Sequence, residues 1–281
     1  DYSVVVYSDG VYRPYFNNSG DEDQITSVAI GSGADLGTNL ANAWYGASNM
    51  TTFTCLFDVT SSVTNFNYAW HGCSSLTDFP LLNTSSGTNF SSTWYNCTSL
   101  INFPSLNTSS GTTFSAAWFG CTSLTSFPLL NTSSGANFNS AWRDCNSLVS
   151  FPLLNTSSGT SFSVTWRACS SLTSFPLLDT SSGTIFSQTW INCSSLADFP
   201  ANMFDTTGTL SAAAFTNAWL NCALTAQSIE NILVSLDTNG ASNITLGING
   251  GTNAAKTTWS AAAVTAYDNL IVKGWTISFN T

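Results

Sequence analysis

The sequence is short of charge. Only 7% of its 281 residues are Asp, Glu, Lys or Arg, against about a quarter in a typical soluble domain. Five basic residues stand against fifteen acidic ones, for a net charge of −10. Phosphate contacts need clustered Lys and Arg, so this balance argues against a nucleic-acid partner. There is a single histidine, His71. A catalytic histidine needs a nucleophile or an acid at a fixed place, and no motif marks one. The chain is therefore expected to be no enzyme, with no catalytic residue and no cofactor. No run approaches the ~18 apolar residues of a membrane span, so membrane insertion is not expected. No secretory signal is visible and the chain starts at Asp1, which suggests a processed chain or a portion of a longer product.

What is present in quantity is apolar and neutral polar. Hydrophobic residues make up 43%, too many for a disordered chain. Ser, Thr and Asn supply the polarity that charge does not. Such a composition, rich in aromatics, suits an extracellular or virion surface.

The dominant feature is self-similarity. Trp recurs at 70, 94, 118, 142, 166 and 190, with a Phe four residues before each and a Cys three after. Pro recurs at the same spacing, from Pro80 to Pro200. Weaker copies hold Trp44 and Trp219. A fixed period of 24 residues is a solenoid signature. Within one unit, Leu76, Phe79 and Leu81 follow an LxxLxL strand pattern and are expected to face the core. Asn83 to Gly87 turn the chain. Phe90, Trp94 and Cys97, at i, i+4 and i+7, predict one face of a short helix or helical turn. Neither side of a coil buries its apolar face alone, so stacked coils share a core. The Pro column falls between core positions and is expected outside. A stacked row of Asn83, Asn107, Asn131 and Asn155 is expected to support a thin parallel ladder. The expected fold is thus an α/β solenoid of about eight coils: a leucine-rich-repeat-like parallel β-ladder with short helical turns and a 24-residue period.

The run "CSSLTDFPLLNTSSGTNFSSTWYNCTSL" resembles BspA-like leucine-rich repeats, of the variety found in mycoplasma surface lipoproteins. The resemblance covers about residues 41–222. Trp stands here where the family usually has Phe, and the strand-to-turn segment is shorter. The resemblance implies surface adhesion and brings no catalytic residues.

Caps are expected at both ends. Residues 1–40 form the expected N-terminal cap, opening on a strand at Val4–Tyr7. Residues 223–281 form a small α/β C-terminal cap. In it "TAQSIENILVSL" reads as a helix with Thr225 as N-cap, and "SAAAVTAYDNLIVKG" as a second with Ser260 as N-cap and Gly274 as its stop. "NITLGING" and "WTISF" read as strands. This tail is similar to the C-terminal ends of repeat proteins in phage tails. That resemblance implies a tail fibre or similar virion appendage; a bacterial or protist cell-surface adhesin is the alternative.

Several columns carry chemistry. The cysteine column reads as buried free thiols, with bridges between coils or a metal as the alternatives; a straight ladder does not converge on one zinc ion. The Trp column reads as core, although exposed aromatics also suit sugars. Asp21-Glu22-Asp23 reads as a solvated loop, with Ca²⁺ as the alternative. No metal site is expected. Ten N-x-S/T sequons include the four Asn of the turn row, but most are copies of one repeat. The column after each Trp is the one that varies: His71, Tyr95, Phe119, Arg143, Arg167, then Ile191 and Leu220. Variation beside near-invariant core positions implies exposure, and an aromatic–cationic strip there could stack on sugars or grip an acidic group. The candidate binding residues are His71, Tyr95, Phe119, Arg143 and Arg167. The expected partners are a cell-surface glycan or protein, or copies of the chain itself.

Overall fold

The computed structural model describes residues 2–6, 22–31 and 34–281. Five short strands and two α-helices are present among them, besides three short 3-10 turns: β1 Tyr2–Val6, β2 Ile25–Ile30, β3 Thr52–Cys55, α1 Ala226–Asn239, β4 Thr245–Gly247, α2 Ala261–Val272 and β5 Thr276–Ser278. All strand pairs are parallel: β1 with β2, β2 with β3, and β4 with β5. Between β3 and β4 the chain winds in coils joined by isolated parallel bridges. These run Asn65–Asn89, Asn89–Thr113, Thr113–Asn137, Asn137–Ser161 and Ser161–Ile185. The architecture is a repeat solenoid with few helices and short parallel strands.

The Phe-to-Cys segment is not helical. Ser92 and Asn96 have φ of 52° and 55°, as do their equivalents in each coil. Two left-handed residues in five break a right-handed helix. The reason lies in how the amides are shared. Phe90, Ser92, Trp94 and Asn96 donate to the carbonyls of Thr113, Ser115, Ala117 and Phe119 in the next coil, at 2.7–3.0 Å. The amides between them turn back locally, Thr93 to Phe90, Tyr95 to Ser92 and Cys97 to Trp94. The ladder between coils therefore runs mainly along the Trp side, where a helix was expected. On the leucine side each coil keeps a thinner link, such as Ile101 N–H to the Thr77 carbonyl at 3.1 Å.

The leucine side also departs from the expected pattern. Phe79 and Leu82 are buried, whereas Leu81 is 54% exposed. The core positions thus recur every three residues, at Leu76, Phe79 and Leu82, and not at the two-residue step of a strand. In the next coil the Leu106 amide donates to the Pro104 carbonyl at 2.9 Å. That tight turn rotates the residue after Pro outward and the one after it inward. The Pro residues themselves are half-buried, not exposed.

The turn after the leucines is held by side chains. Asn83 Oδ1 accepts from both the amide and the hydroxyl of Ser85. Asn107, Asn131 and Asn155 repeat this. The Asn oxygen caps its own turn and does not build the row between coils that was expected. Coil-to-coil bonds come from buried threonines instead: Thr84, Thr108, Thr132 and Thr156 donate to the carbonyl of the Asn or Asp position one coil on, at 2.6–2.7 Å. Gly135 fits here because a Cβ would lie 2.6 Å from Phe138 Cζ.

One continuous core runs from Ile25 to Trp275. Trp94 stacks on Trp70 and Trp118 at 6.0 and 5.4 Å, and Phe79 and Phe103 meet it edge-on at 5.4 and 4.7 Å. Its indole N–H, like those of Trp70, Trp118, Trp142, Trp166, Trp190 and Trp219, has no hydrogen-bond partner. An unpartnered donor costs roughly 1–3 kcal/mol. Each aromatic pair returns about 0.5–1.5 kcal/mol beyond its buried area, so two edge-on neighbours roughly offset the loss.

The ladder continues through the C-terminal segment. Phe215 bridges Leu246, which pairs with Ile277. There α1 and α2 replace the extended leucine side. Thr225 and Ser260 cap them, accepting from the amides of Ser228 and Ala263, and Gly274 follows α2 at φ 84°. Of the expected N-terminal cap, residues 1, 7–21 and 32–33 lie outside the described residues. So do the sequon at Asn17 and, of the Asp21–Asp23 loop, Asp21; Glu22–Gln24 form a 3-10 turn.

Candidate functional site

The side chains after each Trp form one strip. The turn geometry points the Trp inward and brings its successor to the surface, exposed at Tyr45 and half-buried at His71, Tyr95, Phe119, Arg143 and Arg167, and the amide ladder fixes the coils in register. Tyr45 stacks on His71 at 4.5 Å and 12°, His71 on Tyr95 at 4.5 Å and 4°, and Tyr95 on Phe119 at 4.4 Å and 6°. The Arg143 guanidinium carbon lies 4.8 Å from the Phe119 ring centre, a cation–π contact. Four of the predicted residues, His71 to Arg143, are thus in one unbroken stack. Tyr45 extends it; it occupies the same column as the others, and its position after Trp44 could have revealed it. Arg167 lies one coil further and donates to Gln188 Oε1 at 3.4 Å. The column then closes: Ile191 is buried.

This stacking changes what the strip can do. Ring faces that touch each other at 4.4–4.5 Å are not free for a sugar to stack on. The strip offers ring edges, which carry the positive side of the aromatic quadrupole, and the outer edges of two guanidinium groups. Arg143 Nε, itself buried and without a hydrogen-bond partner, sits 3.3 Å from Asp144 in an ion pair whose side chains are about one-third exposed; a pair so placed contributes little. The other described cations are engaged elsewhere: Lys273 pairs with Asp237 at 2.6 Å, and Lys256 lies 3.5 Å over Tyr267. Burial lowers the pKa of His71 below its ordinary 6.5, partly countered by its own backbone hydrogen bond.

The thiols form a second column, wholly interior. Cys73, Cys97, Cys121, Cys145, Cys169, Cys193 and Cys222 are free and buried. Each donates to the carbonyl of the Trp one coil back, at 3.0–3.3 Å. Burial pushes the Cys121 and Cys222 thiols up to about 12. Among the described residues no His, Cys, Asp and Glu side chains converge as a metal site, and no helix is long and apolar enough to cross a membrane.

A third column was missed by the sequence pattern. Leu81, Leu129, Leu153 and Leu177 are 54%, 67%, 62% and 50% exposed. An open groove of about 440 Å³ lies between Leu129 and Leu153, lined also by Leu130, Asn131 and Asn155. The signal was present: the core-facing leucine is the second of each Leu-Leu pair, three residues beyond the Phe.

Fold and surface together define a repeat solenoid whose Phe, Trp and Cys columns are interior and whose most variable column lies at the surface. No family model matches the chain, and no curated protein does. It is similar to a leucine-rich repeat protein from Bacteroides ovatus ATCC 8483, at 12% identity over 99% of this chain and 88% of that one, with a TM-score of 0.28. It is also similar to a leucine-rich repeat protein from Eubacterium ventriosum ATCC 27560, at 12% identity over 77% and 87%, with a TM-score of 0.24. The solenoid stands on the chain's own bridges and core; neither neighbour is a phage tail protein, and the expected likeness of the C-terminal tail to such proteins is not supported.

Proposed function

We propose that the chain is a non-enzymatic interaction scaffold on an extracellular structure, a phage tail fibre or similar virion appendage, and that it binds a host-surface partner along the strip. The observation that supports this is the stack of Tyr45, His71, Tyr95, Phe119 and Arg143, built on coils whose Phe, Trp and Cys columns are fixed by the core. A rigid, pre-stacked strip loses little side-chain entropy on binding. Its chemistry favours a partner with isolated carboxylates, on a glycan or a protein loop. A polyanion is disfavoured, because a chain of net charge −10 repels it. A cell-surface adhesin uses the same strip in the same way; tail or baseplate genes beside the coding sequence favour the virion reading.

The test is an array of neutral, sialylated and uronate-bearing glycans and acidic peptides. The wild type is expected to bind carboxylated members in a salt-sensitive manner. A variant carrying Tyr95→Ser, Phe119→Ser, Arg143→Ser and Arg167→Ser is expected to lose that binding while keeping its circular dichroism. Unchanged binding by the folded variant removes the strip as the site.

A further inference from the structure

The leucine column has no role in the core or in the strip. It lies ten residues past the strip along each coil, from His71 to Leu81 and from Phe119 to Leu129. Leu56 and Phe57, 50% and 47% exposed, extend it by a coil, because the Asn83 amide donates to the Phe57 carbonyl beside them. Exposed apolar rows of this length are uncommon on isolated soluble proteins.

We infer that this column is where two copies of the chain associate side by side. The inference concerns assembly and does not depend on the strip binding anything. Three observations favour a second copy as the occupant. The first is spacing. Leucines one coil apart, about 5 Å, leave a groove that a leucine from an identical ladder fits, and only another such ladder repeats that step along its length. The second is charge. From residue 56 to residue 177, the span of the column, the chain carries Arg143 and Arg167 against Asp58, Asp78 and Asp144 and no other Asp, Glu, Lys or Arg. That stretch has a net charge of 2 − 3 = −1 in a chain of −10, so copies apposed along it meet little of the repulsion the rest of the chain exerts. The third is area. At about 100 Å² of apolar surface per exposed large side chain, the six side chains from Leu56 to Leu177 offer roughly 600 Å². With a rim of Pro and Asn this approaches the ~800 Å² per partner of a standard interface. Ser105 stands in the column between Leu81 and Leu129, so serine is accommodated there without harm to the coil.

Sedimentation of the full chain from 1 to 100 μM tests this. The wild type is expected to be a dimer or larger at the upper concentrations. A variant with Leu129→Ser, Leu153→Ser and Leu177→Ser is expected to sediment as a monomer with unchanged circular dichroism. If the triple variant does not fold, Leu153→Ser alone should weaken association at least tenfold. A monomeric wild type at 100 μM overturns the inference, and so does a folded variant that still associates. A monomeric wild type that binds neutral lipid vesicles assigns the column to lipid and overturns it equally. Because the strip is intact in these variants, loss of glycan binding and loss of association are read separately.

Discussion

The thiol of Cys97 donates to the main-chain carbonyl of Trp70, one coil earlier, at 3.2 Å. The same bond repeats down the column, so each sulfur is directed at a carbonyl and not at the next sulfur. A thiol raised by burial holds almost no thiolate at neutral pH, and the thiolate is the reactive form. In the native protein a thiol reagent at pH 8 should label at most one cysteine, the half-buried Cys55, and all eight after denaturation. Rapid labelling of several thiols, or bridges between successive coils by mass spectrometry, contradicts the column.

Gly135 meets the Phe rings of two coils. A Cβ there would lie 2.6 Å from Phe138 Cζ and 3.0 Å from Phe114 Cε2. Gly135→Ala should cost about 1–3 kcal/mol, as overpacking does. At about 2–4 °C per kcal/mol for a chain of this size, the melting midpoint should fall by several degrees. A neutral substitution shows that the ring does not rest on this glycine.

Val164 occupies a left-handed position, φ 60°, where its equivalents are Ser92, Ala116, Ser140 and Gln188. A β-branched residue suits that region worst. Val164→Asn should stabilise the protein by about 1 kcal/mol, since the left-handed conformation costs most residues about 1–2 kcal/mol and Asn less. Differential scanning calorimetry reads this as a higher midpoint; an unchanged or lower one contradicts the turn geometry.

These turns mark the boundary of what the sequence discloses. The core columns of Phe, Trp and Cys and both C-terminal helix caps were legible, because each follows from side-chain spacing or local capping chemistry. The helical side was misread because i, i+4, i+7 fits a helix and also fits a turn segment with two left-handed residues. The Asn96, Gly120, Asp144, Asn192 column, rich in residues that tolerate positive φ, held the correcting signal. Leu81 was placed inside by a two-residue strand step, where a three-residue step ruled. The strip's position was legible in its variation. Its mutual stacking, which closes the ring faces, depends on coil spacing and on side-chain angles that no single column records.

His71 lies between Tyr45 and Tyr95, and burial lowers its pKa. A group whose folded pKa is depressed contributes stability that is present above its unfolded value, near 6.5, and is lost as pH falls toward the folded one. Stability should therefore decline as pH falls below about 6.5 more steeply in the wild type than in His71→Phe, which keeps the stack without the proton. An equal fall in unfolding free energy with pH in the two proteins, read from urea titrations, contradicts this placement of His71.

The account rests on burying the Phe, Trp and Cys columns of every coil while the leucine and post-Trp columns lie at the surface, and tryptophan accessibility tests that division most directly. All ten tryptophans are at most 8% exposed. Fluorescence should therefore be blue-shifted in the native protein and almost unquenched by iodide, with full quenching only after unfolding. Native quenching approaching that of free tryptophan would put the column in solvent and contradict the solenoid.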